Sequence, residues 1–283
     1  MISSRLHTFL VMVDALPKNV VGGWVFLVGL AVGSFLNVCI YRWPAGEHSA
    51  IQPRSFCPAC KQPIAWHDNI PILGYLLLKG RCRRCAKPIS IRYPVVEFFT
   101  ALTLYGLYWD RGISAALIFY GCFICMLIIA SVTDMRERII PDEVSFYGIV
   151  FALLMSYFFP SLQHETNRRL ALADATLGML LGGGVLYGVA VIGDFAFKRE
   201  SMGGGDIKLL AMIGAFLGTS SIFPTLFLAS AFGAVVGMAL KWVRKAEVIA
   251  FGPFLALGAV VSFYWGPMLM NWLFPVFYPA VVR

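Results

Sequence analysis

Long apolar segments alternate with short polar loops along most of the 283-residue chain. Segments of this length and composition are typical of helices that cross a membrane. The pattern predicts an all-α polytopic membrane protein, a bundle of about eight transmembrane helices, over residues 20–41, 94–109, 113–133, 143–160, 171–193, 207–218, 222–240 and 249–265. Two of them, 94–109 and 207–218, are short, so we expect them to be tilted, extended into their loops or partly re-entrant. The apolar tail 266–280 fits either a partial span or a surface segment.

The composition agrees with the pattern, since 59% of the residues are hydrophobic, 13% are charged and the mean hydropathy is +0.76. These values lie outside the range of soluble domains. The one extended polar stretch is 42–93. We therefore divide the chain into an N-terminal segment with the first transmembrane helix (1–41), a polar module (42–93) and a membrane domain (94–283).

The basic residues predict an orientation, because loops rich in Lys and Arg stay in the cytoplasm. If 42–93 is cytoplasmic, alternation also places 134–142, 194–206 and 241–248 inside, and with Lys208 these segments hold 17 of the 23 basic residues. The N-terminus is then outside. The opening MISSRLHTFLVMVDALP lacks a cleavage site of small residues, so 20–41 is expected to be the anchor. Cytoplasmic retention and anionic lipid headgroups account for the net charge of +8, and we expect no nucleic-acid partner.

Two C-x-x-C pairs lie within the polar module, CPAC at 57–60 and CRRC at 82–85. This spacing is typical of a structural zinc site in which Cys57, Cys60, Cys82 and Cys85 each supply a sulfur. Paired disulfides are the alternative, although they seldom persist in a reducing cytoplasm. A metal would also stabilise a module too small to build its own core. The other three cysteines lie in predicted spans and are interpreted as small buried hydrophobic residues.

Acidic residues close to membrane depth are costly and therefore suggest function. Asp134 ends the third predicted span and Asp206 begins the sixth, and the predicted topology places both at the cytoplasmic border. Two carboxylates that share a proton can activate a water molecule and protonate a scissile carbonyl, so we identify Asp134 and Asp206 as candidate catalytic residues. Structural alternatives remain for each: Asp206 as a plain helix N-cap, and Asp134 as the partner of Arg136 or Arg138.

Three glycines, Gly203, Gly204 and Gly205, precede Asp206. Because glycine has no Cβ, they would let the backbone bend tightly and an extended substrate approach Asp206. The amino end of a helix favours negative charge, so helix position predicts that Asp206 is ionised and that Asp134 is protonated more easily.

Several stretches together resemble the bacterial type IV prepilin peptidases, the leader peptidases of type IV pili and type II secretion. The matching motifs are GSFLNVCIYRWP (33–44), CPAC (57–60), HDNIPILGYLLLKGRCRRC (67–85), ISIRYPVVE (89–97), DMRERIIP (134–141) and MGGGDIKLL (202–210). The similarity extends from about 20 to 260. GGGD by itself is a weak signal, whereas the ordered combination is specific.

The resemblance implies a membrane-embedded aspartic endopeptidase of the bacterial inner membrane that removes the basic leader of prepilins and pseudopilins on the cytoplasmic side. It also implies methylation of the new N-terminal residue with S-adenosylmethionine as donor. The family's catalytic aspartates correspond to Asp134 and Asp206, and its zinc-associated cysteines to the four in the polar module. The methyl donor is expected within 42–97, although no G-x-G-x-x-G motif marks its site.

Two other classes of protein compete with this interpretation. A proton- or cation-coupled transporter could use the two aspartates as a relay and the cysteine module as a metal sensor. A scaffold could use the cysteine module to recruit a cytoplasmic ATPase, but it would not need paired carboxylates. The sequence leaves open the native substrate, the residues of the methyl-donor site and the oligomeric state.

Overall fold

The computed structural model describes residues 16–46, 55–198, 202–244 and 250–273. The opening segment that was considered as a signal lies almost entirely outside these ranges, as does the end of the 266–280 tail. The chain packs as two compact units, residues 1–125 and 126–283. This division follows packing, so the functional boundaries at 41/42 and 93/94 stay predictions.

Every regular element within the described residues is helical. The α-helices are α1 (Lys18–Arg42), α2 (Leu73–Leu77), α3 (Arg92–Arg111), α4 (Ala115–Glu137), α5 (Asp142–Phe158), α6 (Arg168–Phe197), α7 (Gly204–Leu217), α8 (Ile222–Arg244) and α9 (Gly252–Leu273). Short 3₁₀ turns lie at Trp43–Ala45, Trp66–Asn69, Pro160–Gln163 and Thr219–Ser221. Each of the eight predicted spans coincides with one helix longer than α2, which confirms the all-α fold class.

Four helical segments in the described ranges are long and apolar enough to cross a membrane: Lys18–Ala45, Ala115–Glu137, Arg168–Ala196 and Thr219–Trp242. A shorter apolar helix covers Gly252–Gly266. The fold is therefore that of a multi-pass membrane protein, while the count of eight crossings stays a prediction. Helix α7 shows why the two counts differ, because its 14 residues extend about 21 Å, less than the hydrocarbon thickness of about 30 Å.

In the first unit, α1 and α3 pack at very short range through glycines on α1. A Cβ added at Gly29 would lie 2.6 Å from the Cα of Ala101, and one added at Gly33 would lie 2.6 Å from the Cα of Glu97. Small residues at such positions let membrane helices approach closely enough for extensive van der Waals contact. The same surface of α3 therefore meets α1 and carries the buried carboxyl group of Glu97.

Helix α7 forms the centre of the second unit, although it is the shortest of its helices. Leu209, Leu210, Met212, Ile213 and Phe216 are all fully buried. Helix α6 lies against α7 backbone to backbone, since a Cβ on Gly178 would collide with the carbonyl of Gly214. A helix segment enclosed by others needs no polar face, and the sequence of α7 after Lys208 is accordingly apolar all round.

A polar network holds the carboxyl end of α7. The Gln163 side-chain amide donates to the carbonyl oxygens of Ala215 at 3.1 Å and Phe216 at 3.2 Å. Beyond the helix, Asp174 accepts hydrogen bonds from the backbone N–H of Thr219 at 3.2 Å and from its hydroxyl at 2.7 Å. The last carbonyls of a helix lack partners within it, so the Gln163 bonds satisfy two of them. The Asp174 bonds hold the turn that follows the helix. Asp206 lies at the other end of the helix.

Candidate active site and metal centre

Asp134 lies in the last turn of α4 and is 7% exposed. The helix ends just after it: the Arg138 amide donates to the Asp134 carbonyl at 2.9 Å, and Arg138 adopts a left-handed backbone with φ of 56°. Pro141 then prevents the helix from continuing. The Asp134 carboxylate accepts a buried hydrogen bond of 2.8 Å from the backbone N–H of Gly252, at the start of α9.

Asp206 lies in the first turn of α7, where the N-cap is Gly203. Its backbone N–H donates to the Gly203 carbonyl at 3.2 Å, but no side-chain cap bond forms at this helix end. The Oδ1 atom of Asp206 is buried and has no hydrogen-bond partner among the described residues. The structure therefore does not support the N-cap alternative, and a buried carboxyl oxygen without a partner calls for another explanation.

The structure brings these two aspartates together within the second unit. The Asp134 carboxylate is close enough to Asp206 to act on it electrostatically, although the two residues come from different helices. Two carboxyl groups in one buried place cannot both be ionised without strong repulsion, so a pair of this kind holds a proton between its members. A proton shared in this way would suit acid–base chemistry on a bound substrate.

Ile140 supports the pair from the loop that follows α4. Its buried side chain fits between two glycines: an added Cβ at Gly205 would lie 3.0 Å from the Cβ of Ile140, and one at Gly252 would lie 3.2 Å from its Cδ1. The sequence analysis missed both Ile140 and Gly252. The Gly-Pro pair at 252–253 was a signal for a helix start, but the sequence does not show what that helix end faces.

The three glycines before Asp206 therefore differ in their surroundings. Gly205 is needed for packing, because its missing Cβ leaves room for Ile140. An added Cβ at Gly204 would meet nothing within 4 Å, and one at Gly203 would meet only Asp206 Oδ2, at 4.0 Å. Open space beside the carboxyl group thus lies at Gly203 and Gly204. The expected access of a substrate stays a prediction for these two positions, while Gly205 has a structural role.

Several charged side chains lie near the two aspartates and make ion pairs or electrostatic contacts of their own. Arg136 pairs with Glu137 at 3.3 Å, and Arg138 acts electrostatically on Asp134. Lys208, two residues after Asp206, bonds to Asp142 at 2.7 Å across an exposed surface. This ion pair joins the first turns of α7 and α5. Pairing with an arginine therefore does not fully explain Asp134, because its carboxylate also accepts a hydrogen bond from the backbone N–H of Gly252.

The remaining acidic residues near the spans have other surroundings. Asp174 belongs to the network at the far end of α7. Glu97, in the first unit, accepts a 2.7 Å hydrogen bond from the backbone N–H of Ile72. Ile72 has a left-handed backbone, with φ of 60°, so the bond holds a strained turn against α3. These contacts agree with roles in packing and do not bring either residue into the aspartate pair.

The four predicted cysteines form one cluster in the first unit. Their Sγ atoms all lie within 4.8 Å of one another. The segments CPACKQP and CRRCAKP repeat the same backbone bonds: Cys57 N–H to Gln62 O and Cys82 N–H to Lys87 O, each 2.9 Å. The fifth residue of each segment, Lys61 or Ala86, has positive φ. Two equivalent turns thus present two sulfurs each.

The geometry of the cluster fits a tetrahedral metal ion. With metal–sulfur bonds of about 2.3 Å, the sulfurs of a tetrahedral site lie about 3.8 Å apart, and the Sγ atoms of Cys57 and Cys85 are 3.9 Å apart. All seven cysteines are free thiols, so the disulfide alternative is not supported. Four protein sulfurs occupy all the coordination positions of a tetrahedral ion, which is typical of a structural site.

The thiols also differ electrostatically. Backbone hydrogen bonds, first from Cys60, overcome desolvation and lower the pKa of the Cys57 thiol to about 6. The Cys85 thiol accepts a backbone hydrogen bond from Lys87 that lowers its pKa, but desolvation and the other three thiols raise it to about 11. A metal ion among the sulfurs would stabilise all four as thiolates and remove this difference.

A bidentate ion pair supports the second cysteine turn. Arg83 donates from Nε and Nη2 to the carboxylate of Asp68 at 2.8 and 2.6 Å. Its hydrogen bonds, and then its charge, hold the pKa of the Asp68 carboxyl below its usual range. The pair connects the 3₁₀ turn Trp66–Asn69 to the CRRC segment. Such forked contacts fix the relative orientation of the two side chains and also strengthen the interaction between them.

Fold and site together define a class: an all-helical, multi-pass membrane protein with a four-cysteine cluster and two neighbouring carboxyl groups, of which Asp134 is buried and Asp206 is partly buried. Comparisons with known proteins agree. Residues 27–111 match the bacterial peptidase A24 N-terminal domain, and residues 121–238 match the type IV leader peptidase family.

Relatives that are similar over most of the chain identify the class more specifically. The type 4 prepilin-like proteins leader peptide-processing enzyme of Escherichia coli O78:H11 is 36% identical, over 83% of this chain and 91% of its own. The prepilin leader peptidase/N-methyltransferase of Aeromonas hydrophila is 33% identical, over 88% and 92%. That of Klebsiella pneumoniae is 38% identical, over 74% and 90%. No solved structure matches the chain.

The chain belongs to the type IV leader peptidase family. Both family matches lie in the order that the motifs predicted, with the N-terminal domain covering the cysteine cluster and the second match covering both aspartates. The resemblance is therefore confirmed. The transporter interpretation is not supported.

Proposed function

We propose that this protein is a bifunctional enzyme of the bacterial inner membrane that cleaves the leader from type IV prepilins and pseudopilins and then N-methylates the new N-terminal residue. The relatives carry both activities in their names. The observation that carries the peptidase assignment is the meeting of Asp134 and Asp206 in one buried place. Asp134 and Asp206 are the proposed catalytic residues.

Cleavage by this pair needs no covalent intermediate. The ionised carboxylate removes a proton from a water molecule, and the resulting hydroxide attacks the scissile carbonyl carbon. The protonated carboxyl donates its proton to the carbonyl oxygen, which gives a neutral tetrahedral diol. As this intermediate collapses, the C–N bond breaks, the leaving amine takes up a proton, and a carboxylic acid remains on the leader.

The positions of the two aspartates support a cut at the membrane border. Asp134 lies in the last turn of one apolar helix and Asp206 in the first turn of another. A substrate whose apolar helix stays in the bilayer would present the peptide bond just outside that helix at this level. The exposed backbone of Gly203 and Gly204 beside Asp206 leaves room for an extended chain. The proposed orientation puts this border and the cysteine module in the cytoplasm.

The cysteine module would hold a structural zinc ion through Cys57, Cys60, Cys82 and Cys85. S-adenosylmethionine would supply an electrophilic methyl group to the free amine that cleavage exposes: the N–C bond would form as the S–C bond breaks, S-adenosylhomocysteine would leave, and the amine would lose a proton. We place the methyl-transfer activity within residues 42–97, which include the cluster, the Asp68–Arg83 pair and the turn held by Glu97. In this assignment the zinc stabilises the module and leaves the chemistry to other groups.

A two-step assay tests the proposal. Purified protein in detergent is incubated with a full-length prepilin, and mass spectrometry records a shortened product. Methyl-labelled S-adenosylmethionine is then added, and the label is expected on the new N-terminal amine. Cleavage is expected to persist in the presence of serine- and cysteine-protease reagents. A wild-type preparation that retains its fold but leaves several prepilins uncut would contradict the peptidase assignment.

A further inference from the structure

The start of α9 faces the aspartate pair with a single backbone donor. The first N–H groups of a helix have no partner within it. In α9 the N–H of Phe254 and of Leu255 both donate to the Phe251 carbonyl, at 3.0 and 3.1 Å, and Pro253 has no N–H. The Gly252 N–H is the remaining donor of this turn, and it donates to Asp134 Oδ2 at 2.8 Å.

The contact requires glycine at this position. An added Cβ at residue 252 would lie 2.8 Å from Asp134 Oδ2 and 3.3 Å from the Cβ of Asp134. The first distance is shorter than real Cβ contacts, so any other residue would push the carboxylate away from the amide. Gly252 is itself buried. In this low-dielectric surrounding, a hydrogen bond to a charged oxygen is stronger than it would be in water.

The two carboxyl groups of the pair are therefore unequal. Asp134 has a backbone donor at one oxygen and the positive charge of Arg138 within electrostatic range. Burial and mutual repulsion act on both carboxyl groups, but Asp206 has a buried oxygen without a partner in the described part of the chain. Donors and positive charge stabilise an ionised carboxylate, whereas desolvation and a negative neighbour stabilise the protonated form. The nearby charges of Lys208 and Asp142 are engaged with each other.

We infer that the backbone N–H of Gly252 is a positioning group of the aspartate site, which holds Asp134 as the ionised carboxylate and leaves the shared proton on Asp206. In the cleavage reaction Asp134 is then the base that activates water, and Asp206 is the acid that protonates the carbonyl oxygen. The inference rests on the proposed function. It reverses the roles expected from helix ends, because the sequence does not reveal that a second helix amino end lies against Asp134.

A single-atom change tests the role of the amide. Replacing Gly252 by glycolic acid through nonsense suppression, in full-length protein made in lipid nanodiscs, converts the N–H into an ester oxygen and adds no side chain. The same replacement at Gly258, inside α9, removes a backbone N–H without touching Asp134 and serves as the control. The substrate is a synthetic peptide with a basic leader followed by an apolar helix.

The ester at 252 is expected to lower kcat/KM for cleavage about ten- to a hundredfold, the range for losing a hydrogen bond to a charged group. The acidic limb of the pH–rate profile should move to higher pH, because the base has lost a donor that favours its charge. The ester at 258 should lower thermal stability and leave the limb in place. Unchanged pH profiles in both variants, or equal rate losses, would overturn the inference.

Infrared spectroscopy gives a second test that needs no activity and no ester. Protonated carboxyl groups have a carbonyl stretch that carboxylates lack. Asp206→Asn is expected to remove the protonated band assigned to the pair. Asp134→Asn should keep the band at acidic pH and lose it at a lower pH than wild type, because Asp206 no longer has a negative neighbour. The opposite result would assign the proton to Asp134 and refute the inference, even if both variants abolish cleavage. A failure of wild-type protein to cut the peptide would instead contradict the proposed function and leave the infrared comparison intact.

Discussion

The cysteine cluster and the aspartate pair are assembled in different ways. All four sulfurs come from two short turns, 57–60 and 82–85, and each turn is closed by its own backbone bonds. The aspartate pair draws on the end of α4, the start of α7 and the start of α9, and 118 positions separate Asp134 from Gly252. A locally built site depends on its own segment, whereas the aspartate site depends on the packing of a whole helical unit.

This difference determines which substitutions each site should tolerate. In the cluster, the residues between the cysteines are mostly exposed, and all except Arg83 can vary as long as the turn and the sulfurs remain. In the aspartate site, even a methyl group at Gly205 or Gly252 meets a neighbour at close range. Damage to the cluster should therefore stay local. Substitutions that disturb the packing around Ile140 should also lower the rate of cleavage.

The largest expected effect comes from the aspartates themselves. Asp206→Asn removes the acid of the pair and keeps the size of the side chain, so the protein should still insert while cleavage falls by at least about a thousandfold. Asp134→Asn removes the base of the pair and should lower cleavage by a similar factor. Initial rates with a purified prepilin measure the loss.

The matched control is Asp174→Asn, a carboxyl group in the same unit that bonds to Thr219 instead of the pair. Asparagine keeps an acceptor oxygen there, so cleavage should stay within a few-fold of wild type. Near-normal processing by Asp206→Asn would exclude the proposed mechanism, and complete loss in Asp174→Asn would show that the readout reports folding.

The sequence predicted the parts of both sites that depend on residue type and short spacing. Two C-x-x-C pairs were sufficient to predict the four-sulfur cluster, because the ligands are set by local turns. Asp134 and Asp206 were predicted as a pair because the expected topology places both carboxyl groups at the cytoplasmic border. The eight helices that match the predicted spans followed from apolar length, and the sequence already indicated that α7 is short.

Residues defined by contacts across the fold could not be found in this way. Ile140 is one more apolar residue in the sequence, and its position between two glycines follows from the packing of three helix ends. Gly252 acts through its backbone, which carries no signal of residue type except the absence of a Cβ. The number of membrane crossings could not be predicted for the same reason, since α7 is enclosed by its neighbours whether or not it reaches both membrane surfaces.

The next effect concerns the metal. Cys57→Ser or Cys82→Ser removes one of four sulfurs, and metal affinity should fall by at least about a hundredfold, since losing even a supporting group outside the ligand set costs 10–100-fold. Methyl transfer should fall more than cleavage, because the cluster lies in the first unit and both aspartates lie in the second. Metal content by mass spectrometry and the two separate assays measure these effects.

Cys122→Ser is the control, because Cys122 lies in α4 and outside the cluster. It should change neither metal content nor the ratio of the two activities. Equal metal content in wild type and in a variant lacking all four cluster cysteines would rule out the metal site. A parallel loss of cleavage and methylation would contradict the local character of the cluster.

A smaller effect separates the glycines before Asp206. Gly205→Ala places a methyl group 3.0 Å from the Cβ of Ile140, so the unit should lose about 1–3 kcal/mol of stability. Gly204→Ala meets nothing within 4 Å and should leave stability unchanged or slightly higher. If a substrate passes Gly204, this variant should cut prepilin more slowly despite its stable fold. Thermal unfolding in one detergent compares the two variants, and equal midpoints would contradict the assignment of Gly205 to packing.

The smallest effect tests the support of the cluster. Arg83 and Arg84 are adjacent and both exposed, but Arg83 makes the forked contact to Asp68. Arg83→Lys keeps the charge and loses the fork, so the thermal midpoint of the module should fall slightly. Water screens the pair on the Arg83 side, where the side chain is 58% exposed, so this loss should be smaller than that of Gly205→Ala. Arg84→Lys is the control and should have no effect. A larger loss in Arg84→Lys would show that charge density around the thiolates, and not the fork to Asp68, supports the second cysteine turn.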